Sequence, residues 1–167
     1  MIKLRPAIQS DLELLKYWDT KRHVIDCDPD DDWNWEEELS RNPEWRQQFM
    51  AEIDGEPIGF IQIIDPLREE SRYWGDVEPN KGAIDIRIGE EHNLNKGFGT
   101  QMMKPAIDFC FSDPIVTGIL IDPLKSNVKA HRFYERLGFQ FIEVREFDGI
   151  PCKVYELKKE WVDETLP

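Results

Sequence analysis

The sequence predicts a mixed α/β fold, with a central, mostly antiparallel β-sheet flanked by helices. Three observations carry this expectation. Strand-type apolar alternation and helix-type spacing follow each other as strand, helices, three strands, helix, strand, helix and two strands, which is not the pattern of a doubly wound fold. Two Asp-Gly pairs, Asp54-Gly55 and Asp148-Gly149, fall between strand-type runs, the signal of a tight hairpin. The 167 residues, 40% of them hydrophobic, suffice for one core and not for two, so a single domain over residues 1–167 is expected.

The elements follow in order. Ile2, Leu4 and Ile8 mark a first strand over Ile2–Ile8. Ser10 and Asp11 offer an N-cap to a helix whose apolar members are Leu12, Leu14, Leu15 and Trp18. Carboxylates favour a helix start, so a loop leading into a helix near Trp35–Leu39 is expected. Gln48–Ile53 and Pro57–Ile64 flank the first Asp-Gly pair as strands. Leu67–Lys81 is polar, broken by Gly75 and Pro79, and reads as a loop carrying Tyr73 and Trp74. Gly82–Ile88 sets Ile84, Ile86 and Ile88 on one face of a strand and Asp85 and Arg87 on the other. A helix over Gly97–Ser112, a buried-type strand over Ile115–Ile121 and a helix over Asn127–Leu137, stopped by Gly138, come next. Phe139–Phe147 and Val154–Lys158 flank the second Asp-Gly pair.

Acids outnumber bases 34 to 21, a formal net charge of −13. Nucleic-acid binding needs Lys and Arg against phosphate, and an anionic membrane surface repels such a chain, so neither partner is expected. A small cationic substrate or a basic protein suits the charge, with plain solubility as the alternative. No run reaches the ~18 apolar residues of a membrane span. Met1–Pro6 lacks the apolar stretch of a signal peptide. The three cysteines, Cys27, Cys110 and Cys152, have neither metal nor redox spacing. A cytoplasmic protein is expected, monomer or homodimer.

Eight of the thirteen residues from Asp26 to Glu38 are acidic, and Trp33 and Trp35 interrupt them. Asp26, Asp28, Asp30, Asp32, Asn34 and Glu37 have the spacing of calcium-loop ligands. The sixth position, however, holds Asp31 where glycine is needed, and Pro29 stiffens the fourth, so no metal is expected. Aromatic faces among carboxylates suit a polycation. A solvated acidic loop is the alternative.

Asn95-Lys96-Gly97-Phe98-Gly99-Thr100 lies between a strand and a helix. Its glycines let backbone approach a ligand, and the helix start offers N–H groups at a positive dipole end, which is how a pyrophosphate is cradled. Asn127-Val128-Lys129-Ala130-His131-Arg132-Phe133-Tyr134-Glu135-Arg136-Leu137-Gly138-Phe139 follows some thirty residues later. Together the two segments resemble the GCN5-related N-acetyltransferase (GNAT) superfamily, whose second motif, Asn-x-x-Ala-x-x-Phe-Tyr-Glu-x-x-Gly-Phe, is matched at every fixed position. The resemblance covers essentially the whole chain. It departs at Leu94, where the family usually has Gln or Arg three residues before the first glycine. A narrower resemblance, to aminoglycoside 6'-N-acetyltransferases, rests on four stretches: Tyr73–Pro79, Lys81–Asp85, Ser112–Thr117 and Asp122–Asn127.

The resemblance implies a GNAT fold and acetyl-CoA as acetyl donor, entering a splay between the strands at Gly82–Ile88 and Ile115–Ile121. It implies that Ile86, Arg87 and Ile88, the loop residues Asn95, Lys96, Gly97, Phe98, Gly99 and Thr100, and then Asn127, Ala130 and Tyr134, hold that donor. Asp85 is the candidate for the ammonium proton, with a strand carboxylate paired to Arg87 or another charge as the alternative. Tyr134 is the candidate general acid at the thioester sulfur; a core aromatic is the alternative. Trp33, Trp35, Trp74, Glu78, Asp85, Asp122 and Asp148 are the candidate substrate-binding residues. Direct attack in a ternary complex needs no protein nucleophile, so no cysteine is expected to act as one. The expected reaction is acetyl transfer to a primary amine of an aminoglycoside-like polycation. A siderophore precursor, a polyamine, a protein N-terminal amine, or a CoA-binding interaction module without catalysis remain open.

Overall fold

The computed structural model of the chain describes residues 1–29 and 32–165. Asp30 and Asp31 of the acidic run, and with them two positions of the calcium-like spacing, lie outside the described residues. The strands are β1 (Ile2–Pro6), β2 (Arg46–Ile53), β3 (Glu56–Ile64), β4 (Lys81–Ile88), β5 (Gly118–Ile121), β6 (Gln140–Phe147) and β7 (Ile150–Lys158). The helices are α1 (Leu12–Trp18), α2 (Arg22–Cys27), α3 (Trp35–Glu38), α4 (Phe98–Ser112), α5 (Val128–Arg136) and α6 (Lys159–Thr165). The seven strands form one sheet in the order β1-β2-β3-β4-β5-β7-β6. β1/β2, β5/β7 and β6/β7 are antiparallel, and β4/β5 is parallel. The mixed, mostly antiparallel α/β sheet is thus the expected one. The chain folds as two compact units, residues 1–63 with 85–106 and residues 64–84 with 107–167.

In the first unit, β1 runs against β2 from Ile2↔Ile53 to Pro6↔Phe49. Asp54 and Gly55 both have positive φ, 50° and 82°, as the tightest hairpin turn requires. The core gathers Leu15, Trp18, Trp35, Met50 and Phe60. Trp18 presses its indole flat against Gly89, just past β4; a Cβ there would lie 2.0 Å from the ring, so no larger residue fits. Asp11 does not cap α1 forward. Its carboxylate turns back to accept the Ile8 N–H at 2.8 Å and pairs with Arg5, because the β1 guanidinium offers a bidentate partner. The expected helix near Trp35 is the single turn α3, and α2 ahead of the acidic run was not foreseen.

A buried arginine ties α3 to β2. Arg46 donates to the Glu38 carboxylate, to the Glu38 carbonyl at 3.0 Å and to the Arg41 carbonyl at 3.4 Å. Burial alone would raise the Glu38 carboxyl, but the Arg46 hydrogen bond and charge, joined by those of Arg41, outweigh it and hold the group below the ordinary glutamate range.

In the second unit, β7 lies between β5 and β6. β4 and β5 pair from Lys81↔Gly118 to Ala83↔Leu120. β5 is shorter than its apolar run. Asp113 accepts the Ile115 N–H on its carboxylate at 3.1 Å and the Val116 N–H on its carbonyl at 3.2 Å, so Ile115 turns outward and is 61% exposed. β7 begins at Ile150, well before Val154, because β6 pairs with it back to Phe147↔Ile150. At the end of α5, Gly138 has φ +100°, and the Phe139 and Gly138 N–H groups reach back to the Tyr134 and Glu135 carbonyls, the hydrogen-bond pair that stops a helix at glycine.

The stability prediction concerns Glu38. A carboxylate with a depressed folded pKa stabilises above its unfolded pKa of about 4 and loses that contribution as pH falls through the folded value. Melting temperature is therefore expected to fall steeply below about pH 4, and less so in Glu38→Gln. At pH 7, Arg46→Met is expected to cost about 2–3 kcal/mol by urea unfolding, since a carboxylate and two carbonyls lose their donor.

Candidate active site

Asp85 and Arg87 project from one face of β4, as period two dictates. The Asp85 carboxylate accepts a hydrogen bond from Gln62 Nε2 at 3.2 Å, and Gln62 Oε1 accepts one from Gln48 Nε2 at 2.9 Å. Three adjacent strands thus present a polar row, Gln48–Gln62–Asp85, on the face that also carries Met50, Phe60 and Arg87. Gln62 is the only polar side chain in Pro57–Ile64, and that is the sequence signal that could have found it.

Arg87 pairs with Asp19 and reaches Asp28 at 3.6 Å. It also lies over the Trp33 ring, 5.1 Å from its centre. Trp33 and Trp35 stack on each other at 5.1 Å, and both meet Phe60 edge-on. Trp35 donates its indole N–H to Asp19 at 2.6 Å and is only 4% exposed. The structure therefore places Trp35 in the core, and the cation on the paired indoles is the chain's own Arg87. Asp19, which links Trp35 to Arg87, was not singled out from the sequence.

Backbone polarity along β4 alternates. The Gly89 N–H donates to the Ile58 carbonyl at 2.9 Å, and the Arg87 carbonyl abuts Gly59 of β3. The backbone polar groups of Ile86 and Ile88 therefore point to the strand's other edge. There His23 of α2 lies 2.8 Å, through Nε2, from the Ile88 carbonyl oxygen.

The cradle is built as its glycines imply. Asn95 and Gly97 have φ of 61° and 80°, and a Cβ on Gly97 would meet nothing within 4 Å. α4 then runs fifteen residues, and its first return hydrogen bond is Gln101 N–H to the Gly97 carbonyl at 3.2 Å. The N–H groups of Phe98, Gly99 and Thr100 precede that bond and have no carbonyl a turn back. Open space over Gly97, successive N–H donors and the positive end of a long helix fit a pyrophosphate.

In the second unit, Asn127 caps α5, its Oδ1 accepting the Ala130 N–H at 3.2 Å. Tyr134, one turn on, is 9% exposed and meets Phe133 and Phe139 edge-on. Asp122, just past β5, accepts the Tyr73 hydroxyl hydrogen at 2.5 Å. Tyr73 stacks on Phe147 at 4.6 Å and remains 42% exposed, whereas its neighbour Trp74 is buried at 3%. Arg145 of β6 donates to the Trp74 carbonyl at 2.5 Å and to the Asp76 carbonyl at 3.3 Å, which pins the Tyr73 loop to the last hairpin. The sequence reading named Trp74; the exposed ring beside Asp122 is Tyr73. Asp148 occupies the turn with φ 50°, and the Glu78 side chain is exposed, its carboxylate 3.9 Å from Lys81. Among the described residues, no three His, Cys, Asp or Glu side chains converge as a metal site needs.

Comparison with known proteins follows the same lines. A family model described as an acetyltransferase (GNAT) domain matches residues 7–147. An aminoglycoside N(6')-acetyltransferase type 1 of Klebsiella pneumoniae is 29% identical over 153 residues, 83% of this chain and 74% of that protein. A kanamycin resistance protein of Rhizobium radiobacter is 37% identical over 75 residues, 44% of this chain and 69% of that protein. The crystal structure of the aminoglycoside acetyltransferase AAC(6')-Ib in complex with coenzyme A and kanamycin superposes with a TM-score of 0.87 at 26% identity, covering 99% of both chains.

Burial pushes the Cys110 thiol up to about 12, Cys152 is also buried, and Cys27 is exposed. Iodoacetamide at pH 8 is expected to alkylate Cys27 alone in the folded protein, as read by mass spectrometry. Modification of Cys110 at a comparable rate would contradict the packing of α4.

Proposed function

Since the chain belongs to the acetyltransferase (GNAT) family, we propose that it transfers the acetyl group of acetyl-CoA to the 6'-amino group of an aminoglycoside. The observation that carries this reading is the near-complete superposition on an enzyme bound to coenzyme A and kanamycin, together with an open cradle at the start of α4. The family match spans both compact units, which supports one acetyltransferase domain over residues 1–167. The polycationic substrate also fits a chain of net charge −13. Three thiols unbonded to one another fit a reducing cytoplasm, and no described helix is long and apolar enough to cross a membrane.

Acetyl-CoA supplies the activated acyl group. Gly97, Phe98, Gly99 and Thr100 would hold its pyrophosphate through backbone N–H groups, with Asn95 and Lys96 at the mouth of the cradle. In the first unit the backbone of Ile86–Ile88 would pair with amides of the pantetheine arm; in the second, Asn127 and Ala130 belong to the family's donor-binding motif. Asp85 takes the proton that the substrate ammonium must lose before it can attack. Tyr134 carries a phenolic hydroxyl, the group of the second motif that can donate a proton to a departing thiolate. Asp122, with Tyr73 bound to it, holds a second ammonium of the polycation. Glu78 and Asp148 add exposed negative charge. Trp35 and Trp74 are buried and support their own units, whereas Trp33, half-buried under the Arg87 guanidinium, keeps a place among the groups that would meet substrate.

A thiol-release assay with acetyl-CoA and kanamycin tests the reading. Turnover is expected, with Asp85→Asn and Tyr134→Phe each lowering kcat by about a hundredfold. The KM for kanamycin is expected to rise with salt, as screened attraction requires. Thiol release with spermine but with no 6'-amino compound would move the substrate to the polyamines, and no transfer to any amine would leave a CoA-binding module.

A further inference from the structure

We propose that Gln48 and Gln62 are positioning residues that set which way the Asp85 carboxylate faces. The proposal rests on the reading of Asp85 as the group that takes the ammonium proton. A glutamine amide presents a carbonyl oxygen at one end and an NH₂ at the other, and half a turn about its last bond exchanges the two. Beside a carboxylate the two states differ greatly: one donates a hydrogen bond, and the other sets oxygen against oxygen. The Asp85 carboxylate, which only accepts, draws Gln62 Nε2 to its Oδ2 at 3.2 Å, and Gln48 Nε2 reinforces that state by donating to Gln62 Oε1 at 2.9 Å.

The relay crosses β2, β3 and β4, so its members are held by sheet hydrogen bonds rather than by loops. All three side chains are half-buried, where a hydrogen bond to a charged group counts for more than in open water. The hydrogen bond at Oδ2 limits the rotation of the carboxylate, and with it the direction in which the group meets an incoming amine. The neighbouring row on the same face is Met50, Phe60 and Arg87, and Trp33 and Trp35 pack on Phe60 there.

Four variants test this by steady-state kinetics with acetyl-CoA and kanamycin. Gln48→Glu replaces the donor by a second carboxylate, which competes with Asp85 for the Gln62 NH₂ and sets the amide oxygen against one of the two. A fall in kcat of about tenfold is expected, with the KM for acetyl-CoA unchanged. Gln48→Lys keeps a donor at the same place, so kcat within about twofold of the parent is expected. Gln62→Leu is expected to resemble Gln48→Glu. Asp85→Asn is measured beside them. Equal losses in Gln48→Glu and Gln48→Lys would mean that the site needs only its shape, and would overturn the relay. Parent-like kcat in Gln62→Leu, with kcat lost in Asp85→Asn, would overturn the relay while leaving Asp85 in its role. Parent-like kcat in Asp85→Asn would remove the underlying reading, and the relay with it. Melting temperatures within a few degrees of the parent separate each kinetic effect from unfolding.

Discussion

A guanidinium buried on β4 organises the first unit. The Arg87 side chain is only 9% exposed, and a charge so far from water costs several kcal/mol unless it is paired. Asp19 and Asp28 supply the charge, and the Trp33 and Trp35 faces supply the rest of the surroundings. Asp19 follows α1, Asp28 follows α2 and Trp35 opens α3, so one cation gathers partners from three places along the chain. A lysine would not serve equally, since only a planar fork can bridge two acids while lying over an indole. The acidic run is thus partly an internal counter-charge, and its two tryptophans belong to the core as much as to any ligand.

In the second unit a guanidinium again holds a segment in place, here through neutral carbonyls. Its long loop has no secondary structure to satisfy its backbone, and Arg145 supplies donors to the Trp74 and Asp76 carbonyls. Trp74 is thereby buried against Phe147, and Tyr73 is left outside with its hydroxyl on Asp122. Asp85 in the first unit and Asp122 in the second thus each accept a hydrogen bond from an uncharged donor, Gln62 and Tyr73.

Most of the fold is legible along the chain. The Asp54-Gly55 and Asp148-Gly149 turns, the alternation of β4 and the Asn127 and Gly138 ends of α5 are local, and local chemistry specifies them. Errors fall where a tight turn overrides an apolar run or where pairing with another strand decides. Ile115 reads as strand because it is apolar, but Asp113 folds the chain over it. The start of β7 is invisible in Pro151-Cys152 because pairing with β6 makes it a strand. The same division holds at the site: Gly97, Asp85 and Tyr134 lie in motifs, whereas Gln48, Asp19 and Tyr73 matter through contacts with residues far along the chain.

By itself the sequence determined the class of fold, the GNAT family and the glycine turn ahead of α4. These follow from residue order, because glycine conformations, helix caps and hairpin turns depend on neighbours a few positions apart. Tertiary structure alone decided that Trp35 is buried, that Arg87 rather than a ligand faces the indole pair, that Tyr73 holds Asp122 and that a glutamine relay leads to Asp85. Each of these is a pairing between side chains on separate elements. A buried polar group takes whichever partner the fold brings within about 3 Å, and that choice is made only when the strands align.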